Sequence, residues 1–182
     1  MPYDPPPQLA GLTLDQIAEA VAARRLPPLD RWQPVETGES HMRIAADGCW
    51  WHQGSLITRP AMVRAFASLL TCDAQGRHWL MTPHQKLAIE VEDAAFLATD
   101  CVAEGGALAF RLNTDDIVIA GADHPLDVQG PEAAPRAYLG ARHGCRARLD
   151  RSTWLQLAEI ALAQGDGSFV TSGGVRFALL PE

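Results

Sequence analysis

The chain has 182 residues, 47% of them hydrophobic and 20% charged, which is the composition of an ordinary globular protein rather than a disordered or fibrous one. A formal net charge of −7 repels phosphate backbones, and no Lys/Arg cluster larger than Arg24-Arg25 offsets it, so no nucleic-acid partner is expected. The apolar runs, Ala65 to Leu70 among the longest, are far too short to cross a bilayer, so no membrane partner is expected either.

The opening "MPYDPPPQLAG" has neither the basic nor the apolar region of a signal peptide, so a cytoplasmic protein is expected. Pro2, Pro5, Pro6 and Pro7 predict an extended, mobile N-terminus. Cys49, Cys72, Cys101 and Cys145 are widely spaced without a C-x-x-C, as expected of free thiols in a reducing compartment.

The first helix is expected in "LTLDQIAEAVAARRL". Thr13 and Gln16 have the spacing of a capping box, and Leu12 and Ile17 flank them as a hydrophobic staple. Arg24 and Arg25 then complement the C-terminal end of the dipole. Pro27, Pro28 and Pro34 exclude a helix interior in "PPLDRWQPVETGES", which reads as a linker pinned by Trp32. Met42 to Ile44, an Asp47-Gly48 turn and Trp50 to Ile57 form a hairpin pattern. A helix follows from about Pro60 to Leu70, with Met62, Phe66 and Leu69 on its apolar stripe.

Two strands come next, "HWLMT" and "KLAIEVE". In the second, Leu87, Ile89 and Val91 alternate with Lys86, Ala88, Glu90 and Glu92, which reads as a core face backed by a solvated face. Asp93 falls in register with the core side and needs a partner there. "ALAFRLN" and "DDIVIAG" are further strands, and the segment of Pro125, Pro131 and Pro135 reads as the boundary between two halves. The remainder reads strand, strand, helix (about Ser152 to Ala163), strand, strand, with "SGGV" as the last hairpin turn. The order of two strands, a helix and two strands occurs twice, and "SLITRPAMVRAFASLL" can be laid over "ARLDRSTWLQLAEIAL" with Arg59 on Arg151. The expected fold is α+β: an N-terminal tail and helix (1–30), a first sheet-plus-helix unit with extra strands (31–130) and a smaller second unit (131–182), with mainly antiparallel strands.

The strings "PPLDRWQP", "RIAADGCWWHQGSLITRPAMVRAFASLL", "WLMTPHQKLAIEVEDAAF" and "AGADHPL" together resemble the bacterial domain of unknown function family numbered 1285, over most of the chain from Pro27 onward. The resemblance implies a two-part α+β protein with repeated structural motifs, proposed to act in signal transduction, and brings no catalytic activity with it. The family's features fall on Gly48 and Trp50, Ile57 and Arg59, Thr82 and Pro83, and Val91, Glu92 and Asp93. His84 and Gln85 depart from its usual apolar residue and glutamate.

Arg59 enters a helix at the end where the dipole disfavours a cation, so it calls for a carboxylate or a bound anion. Asp93 is the first candidate partner, in a structural ion pair. The other reading has Arg59 gripping an anionic ligand in a groove between helix and sheet, with Trp50, Thr82 and Asp93 beside it. His84 near Asp93 or Glu92 is the alternative, a hydrolase's acid or base. No metal spacing and no cofactor motif is present, so neither metal nor cofactor is expected. The pairs Asp115-Asp116 and Asp123-His124 read as turn formers. The favoured function is a non-enzymatic cytoplasmic protein binding a small anionic molecule or a protein partner, with a homodimer as a further possibility.

Overall fold

The computed structural model describes residues 8–180, and the extension expected at Pro2, Pro5, Pro6 and Pro7 lies outside the described residues. The fold is α+β, built around two six-stranded sheets that are mostly antiparallel, each with a helix. Among the described residues no helix is long and apolar enough to cross a membrane. By their contacts the residues form two units, one of 25–96 with 142–145 and one of the remainder.

The first unit contains β1 (Glu36–Ile44), β2 (Trp50–His52), β3 (Ser55–Leu56), α2 (Pro60–Ala67), β4 (Leu70–Cys72), β5 (His78–Met81) and β6 (Gln85–Val91). Its sheet order is β3-β2-β1-β6-β5-β4. The hairpin at Asp47-Gly48 joins β1 and β2 antiparallel, and Pro60 opens α2 at its first position, both as expected. The pairing of β1 with β6 is parallel. Parallel neighbours need a long crossover, and α2 lies on the connection that supplies it. Ile44, Trp50, Ala67 and Leu70 are buried at its core. Arg142 donates from Nη2 to the Ala67 carbonyl at 3.0 Å and lies over the Phe96 ring, a cation placed at the negative end of α2.

The second unit contains α1 (Leu14–Ala23), β7 (Phe96–Glu104), β8 (Ala107–Leu112), β9 (Ile117–Ile119), β10 (Leu126–Gln129), β11 (Arg136–Gly140), β12 (Arg146–Leu149), α3 (Arg151–Gln164), β13 (Phe169–Ser172) and β14 (Val175–Ala178). Its main sheet runs β10-β11-β12-β7-β8-β9, and β13 and β14 form a hairpin of their own. The capping box of Thr13 and Gln16 is present in both directions. Gly173 and Gly174 hold φ of 56° and 79°, the left-handed pair that a two-residue hairpin turn requires. Ser172 is fully buried, where its hydroxyl donates to the Ala120 carbonyl at 2.7 Å and accepts from the Leu108 amide at 2.8 Å.

These units differ from the bounds 1–30, 31–130 and 131–182. The proline-rich segment is a hairpin loop, because Leu126 to Gln129 pair with Leu139 to Arg136 across it. A boundary there would cut a ladder. Helix α1 is part of the second unit, with Ile17 fully buried and Arg24 paired to Asp116. The repeat holds as hairpin, helix, hairpin in each unit, but the overlay of Arg59 on Arg151 is one residue out. Arg59 caps α2, whereas the cap of α3 is Asp150, which accepts from the Thr153 amide at 2.8 Å.

The turn between β4 and β5 is organised by one carboxylate. Asp73 accepts from the Trp79 indole, the amides of Gln75 and Arg77, and the Arg77 guanidinium, and these donors hold its pKa at about 2, below the ordinary 3.8. The Trp79 bond is the largest cause. A depressed carboxylate stabilises the fold above its unfolded pKa and loses that contribution as pH falls towards the folded value. Denaturant midpoints measured between pH 5 and pH 2 should therefore fall more steeply for the wild type than for Asp73→Asn, with the divergence between about 4 and 2. Parallel curves would contradict the assignment.

Candidate functional site

The apolar face of the first unit's sheet and helix α2 do not close completely, and a groove of about 310 Å³ runs between them. From α2 come Met62 and Phe66, and from the sheet come Met42 on β1, Leu80 on β5 and Leu87 on β6. Phe66 reaches it because Trp50 lies beneath, fully buried, with the two rings stacked at 6.4 Å and 19°. The Trp50 Nε1–H has no acceptor among the described residues. Glu39, His52 and Thr82 supply the polar edge of the groove.

A break in the β1–β6 ladder shapes one wall. The register shifts between Glu39 and Arg43, and His41 takes φ of 55° in the gap. The Ser40 hydroxyl bridges the break, donating to the Ala88 carbonyl at 2.6 Å and accepting from the Met42 amide at 3.1 Å. A bulge of this kind re-aims the side chains that follow it. Nothing in "GESHM" marks it, since no glycine sits at the left-handed position, and the sequence reading missed both the bulge and the contribution of Ser40.

The four residues expected at the site are not all brought together. Thr82 lines the groove, yet its hydroxyl serves the β5–β6 turn, donating to the Gln85 carbonyl and accepting from the Gln85 amide. Trp50 supports the groove from below without lining it. Arg59 is exposed at the cap of α2, between Ile57 and Met62, which both line the groove. Asp93 follows the far end of β6 and is not part of the lining.

The expected Arg59–Asp93 ion pair is not formed. Arg59 has no ion pair among the described residues and stays in water, while Asp93 is half-buried and engaged within the chain. Glu92 is the carboxylate with the visible structural task. It accepts from the Ala46 amide at 2.9 Å and from the Arg43 guanidinium, and these two bonds, the backbone one first, lower its pKa.

The hydrolase arrangement fails on distance. His84 is exposed at the tip of the β5–β6 turn, and Glu92 and Asp93 lie beyond the opposite end of β6. At about 3.3 Å per residue, a fully extended stretch between His84 and Asp93 spans roughly 30 Å, far outside hydrogen-bond reach. Among the described residues no group of three or more His, Cys, Asp or Glu could hold a metal ion. Cys49, Cys72, Cys101 and Cys145 form no disulfide among the described residues. Burial pushes the Cys101 and Cys145 thiols up to about 12, the direction of an inert core thiol. Asp115 and Asp116 form a turn, but they also do more. Asp115 takes φ of 62°, while Asp116 is buried and bound to Arg24 and Thr114.

Comparison with known proteins gives a consistent picture. The profile described as "Domain of unknown function (DUF1285), N-terminal domain" matches residues 27–94, and that described as "Protein of unknown function (DUF1285), C-terminal domain" matches residues 95–179. The crystal structure of a DUF1285 family protein from Silicibacter pomeroyi DSS-3 is 32% identical, with a TM-score of 0.75 over 92% of this chain and 94% of that one. A second, from Shewanella baltica OS155, is 24% identical with a TM-score of 0.54, over 65% of this chain and 90% of that one, and shows the fold alone. No curated protein matches the chain.

Proposed function

The chain belongs to the DUF1285 family, and from that premise we propose that it is a non-enzymatic binding protein whose groove takes a small, mainly apolar molecule with an anionic end. The observation that carries this reading is the apolar groove between α2 and the sheet, with Arg59, exposed and without an ion pair among the described residues, lying in sequence between the lining residues Ile57 and Met62. Met62, Phe66, Leu80 and Leu87 offer contact to the apolar part, and Arg59 offers a charge-assisted bond to a carboxylate or phosphate. The wider role proposed is cytoplasmic signalling, in which occupancy of the groove alters what the protein contacts.

Thermal unfolding against a panel of alkyl carboxylates and phosphates of increasing chain length tests the reading. A ligand at about a hundred times its dissociation constant stabilises by roughly 2.7 kcal/mol, a midpoint rise of about 5–11 °C at 2–4 °C per kcal/mol. Arg59 is exposed, so Arg59→Ala should melt like the wild type without ligand and lose most of the rise with it. If no compound moves the midpoint, or if Arg59→Ala responds as the wild type does, the assignment is wrong.

A further inference from the structure

The second unit holds a cavity of its own, about 450 Å³ against the groove's 310 Å³. Its walls come from three segments: the turn of helix at Leu9–Gly11, strand β7 and helix α3. Leu9 is fully buried, and Val102 and Ile160, each half-buried, line the space beside it with apolar side chains. The Gln156 amide joins two of the walls. Its Oε1 accepts from the Cys101 amide at 3.0 Å, and its Nε2 donates to Asp100 Oδ1 at 3.0 Å, so α3 is tied to β7 where the cavity forms. Pockets for small molecules occupy about 300–1,000 Å³ and combine an apolar lining with a few placed polar groups.

The polar groups left for a ligand carry one sign. Glu104, the last residue of β7, and Glu159 on α3 both line the cavity and both are exposed. Neither has an ion pair or a side-chain hydrogen bond among the described residues. Among those residues no Lys, Arg or His and no hydroxyl side chain lines the cavity. Gln156 is engaged at both ends, and the Cys101 thiol is buried and protonated. An ionised carboxylate only accepts hydrogen bonds, so an anion meets repulsion here, and a neutral acceptor finds no side-chain donor to spare. A protonated amine meets both carboxylates in charge-assisted bonds, while its carbon skeleton meets Leu9, Val102 and Ile160. We propose that this cavity is a second binding site, which takes a small apolar molecule ending in a protonated amine held by Glu104 and Glu159. Its ligand is opposite in charge to that of the groove and touches none of the groove residues, so the two readings stand or fall separately.

Titration of the full chain with 2-phenylethylamine, followed by the shifts of its amide signals in NMR, is the test. The controls are 2-phenylethanol and 3-phenylpropionate, which keep the ring and replace the amine by a neutral or an anionic end. The amine should bind, the alcohol more weakly and the carboxylate not at this site. Glu104→Gln and Glu159→Gln, both at exposed positions, should stay folded by circular dichroism and each weaken the amine about two- to fivefold, the range of a solvent-exposed charge pair. The double variant should bind the amine no better than the alcohol. Ala163→Phe, which adds bulk to the lining from an exposed position, should abolish binding of the amine, and Arg59→Ala should leave it unchanged. An amine that does not bind, an alcohol that binds equally well, a preference that survives in the double variant, binding indifferent to Ala163→Phe, or binding lost with Arg59→Ala would each overturn the proposal.

Discussion

Asp116→Ala is expected to destabilise the protein by about 3 kcal/mol, which for a chain of this length lowers the thermal midpoint by roughly 6–12 °C. Asp116 is buried after β8, and its carboxylate accepts from Arg24 Nε at 2.5 Å and from the Thr114 hydroxyl at 2.6 Å. Arg24 is the C-terminal cap of α1, so the contact joins two segments 92 residues apart in sequence. Removing the carboxylate leaves a partly buried guanidinium without its counter-charge and a buried hydroxyl without its acceptor. Breaking such a pair costs about 3–5 kcal/mol because desolvation is no longer offset. The lower end is chosen because the Arg24 side chain is 29% exposed and recovers some hydration. Arg24→Met, which keeps the apolar stem, should cost a similar amount. The double variant should cost less than the sum of the two by about 0.5–3 kcal/mol. Strict additivity, measured by denaturant unfolding, would show that the two residues act independently.

Trp50→Ala should be costlier still, about 3–5 kcal/mol, because it removes a fully buried large ring and leaves a cavity under α2. Its stacking partner Phe66 lines the groove, so the variant should also lose whatever ligand response the wild type shows. Trp50→Phe separates the two effects. The indole N–H is buried without an acceptor among the described residues, a condition that costs about 1–3 kcal/mol, and phenylalanine removes that donor while keeping an aromatic surface on Phe66. Trp50→Phe is therefore expected to lie within about 1.5 kcal/mol of the wild type. A Phe variant as unstable as the Ala variant would mean that the size of the indole, rather than aromatic stacking, holds α2 in place.

Much of the local structure was legible because the signals lie within one turn or one strand. Thr13 and Gln16 cap α1 because the residues that satisfy the orphan amides are three apart in the chain. Pro60 at the start of α2, Asp47-Gly48 and Gly173-Gly174 were readable for the same reason. Strand β7 was not anticipated, because "FLATDCVAE" mixes Thr99, Asp100 and Glu104 into a run whose alternation is broken by a register shift at Asp100.

The site was legible only in part. Of the four expected site residues only Thr82, offered by the family's Thr-Pro feature, lines the groove; Met62, Phe66 and Leu87, which also line it, were legible only as the apolar stripe of a helix and the core face of a strand. Helix-end position and strand register also suggested Arg59 and Asp93 as a pair, since each lacked a visible partner in the sequence. That inference requires two side chains to share a buried space, and burial is set by neighbours distant in the chain.

The sequence by itself determined the three α-helices to within a few residues, the apolar face of β6 and the recurrence of a hairpin–helix–hairpin order, because periodicity and capping are local properties. It did not show β4, β7 or β10, or that β1 begins at Glu36 inside the segment read as a linker. Only the tertiary structure decided that β1 pairs with β6 in parallel, that the prolines after Gly130 close a hairpin, and that Arg24 answers Asp116. It also decided that β6 holds His84 far from Asp93, since each of these depends on which distant segments come to share a ladder or a core.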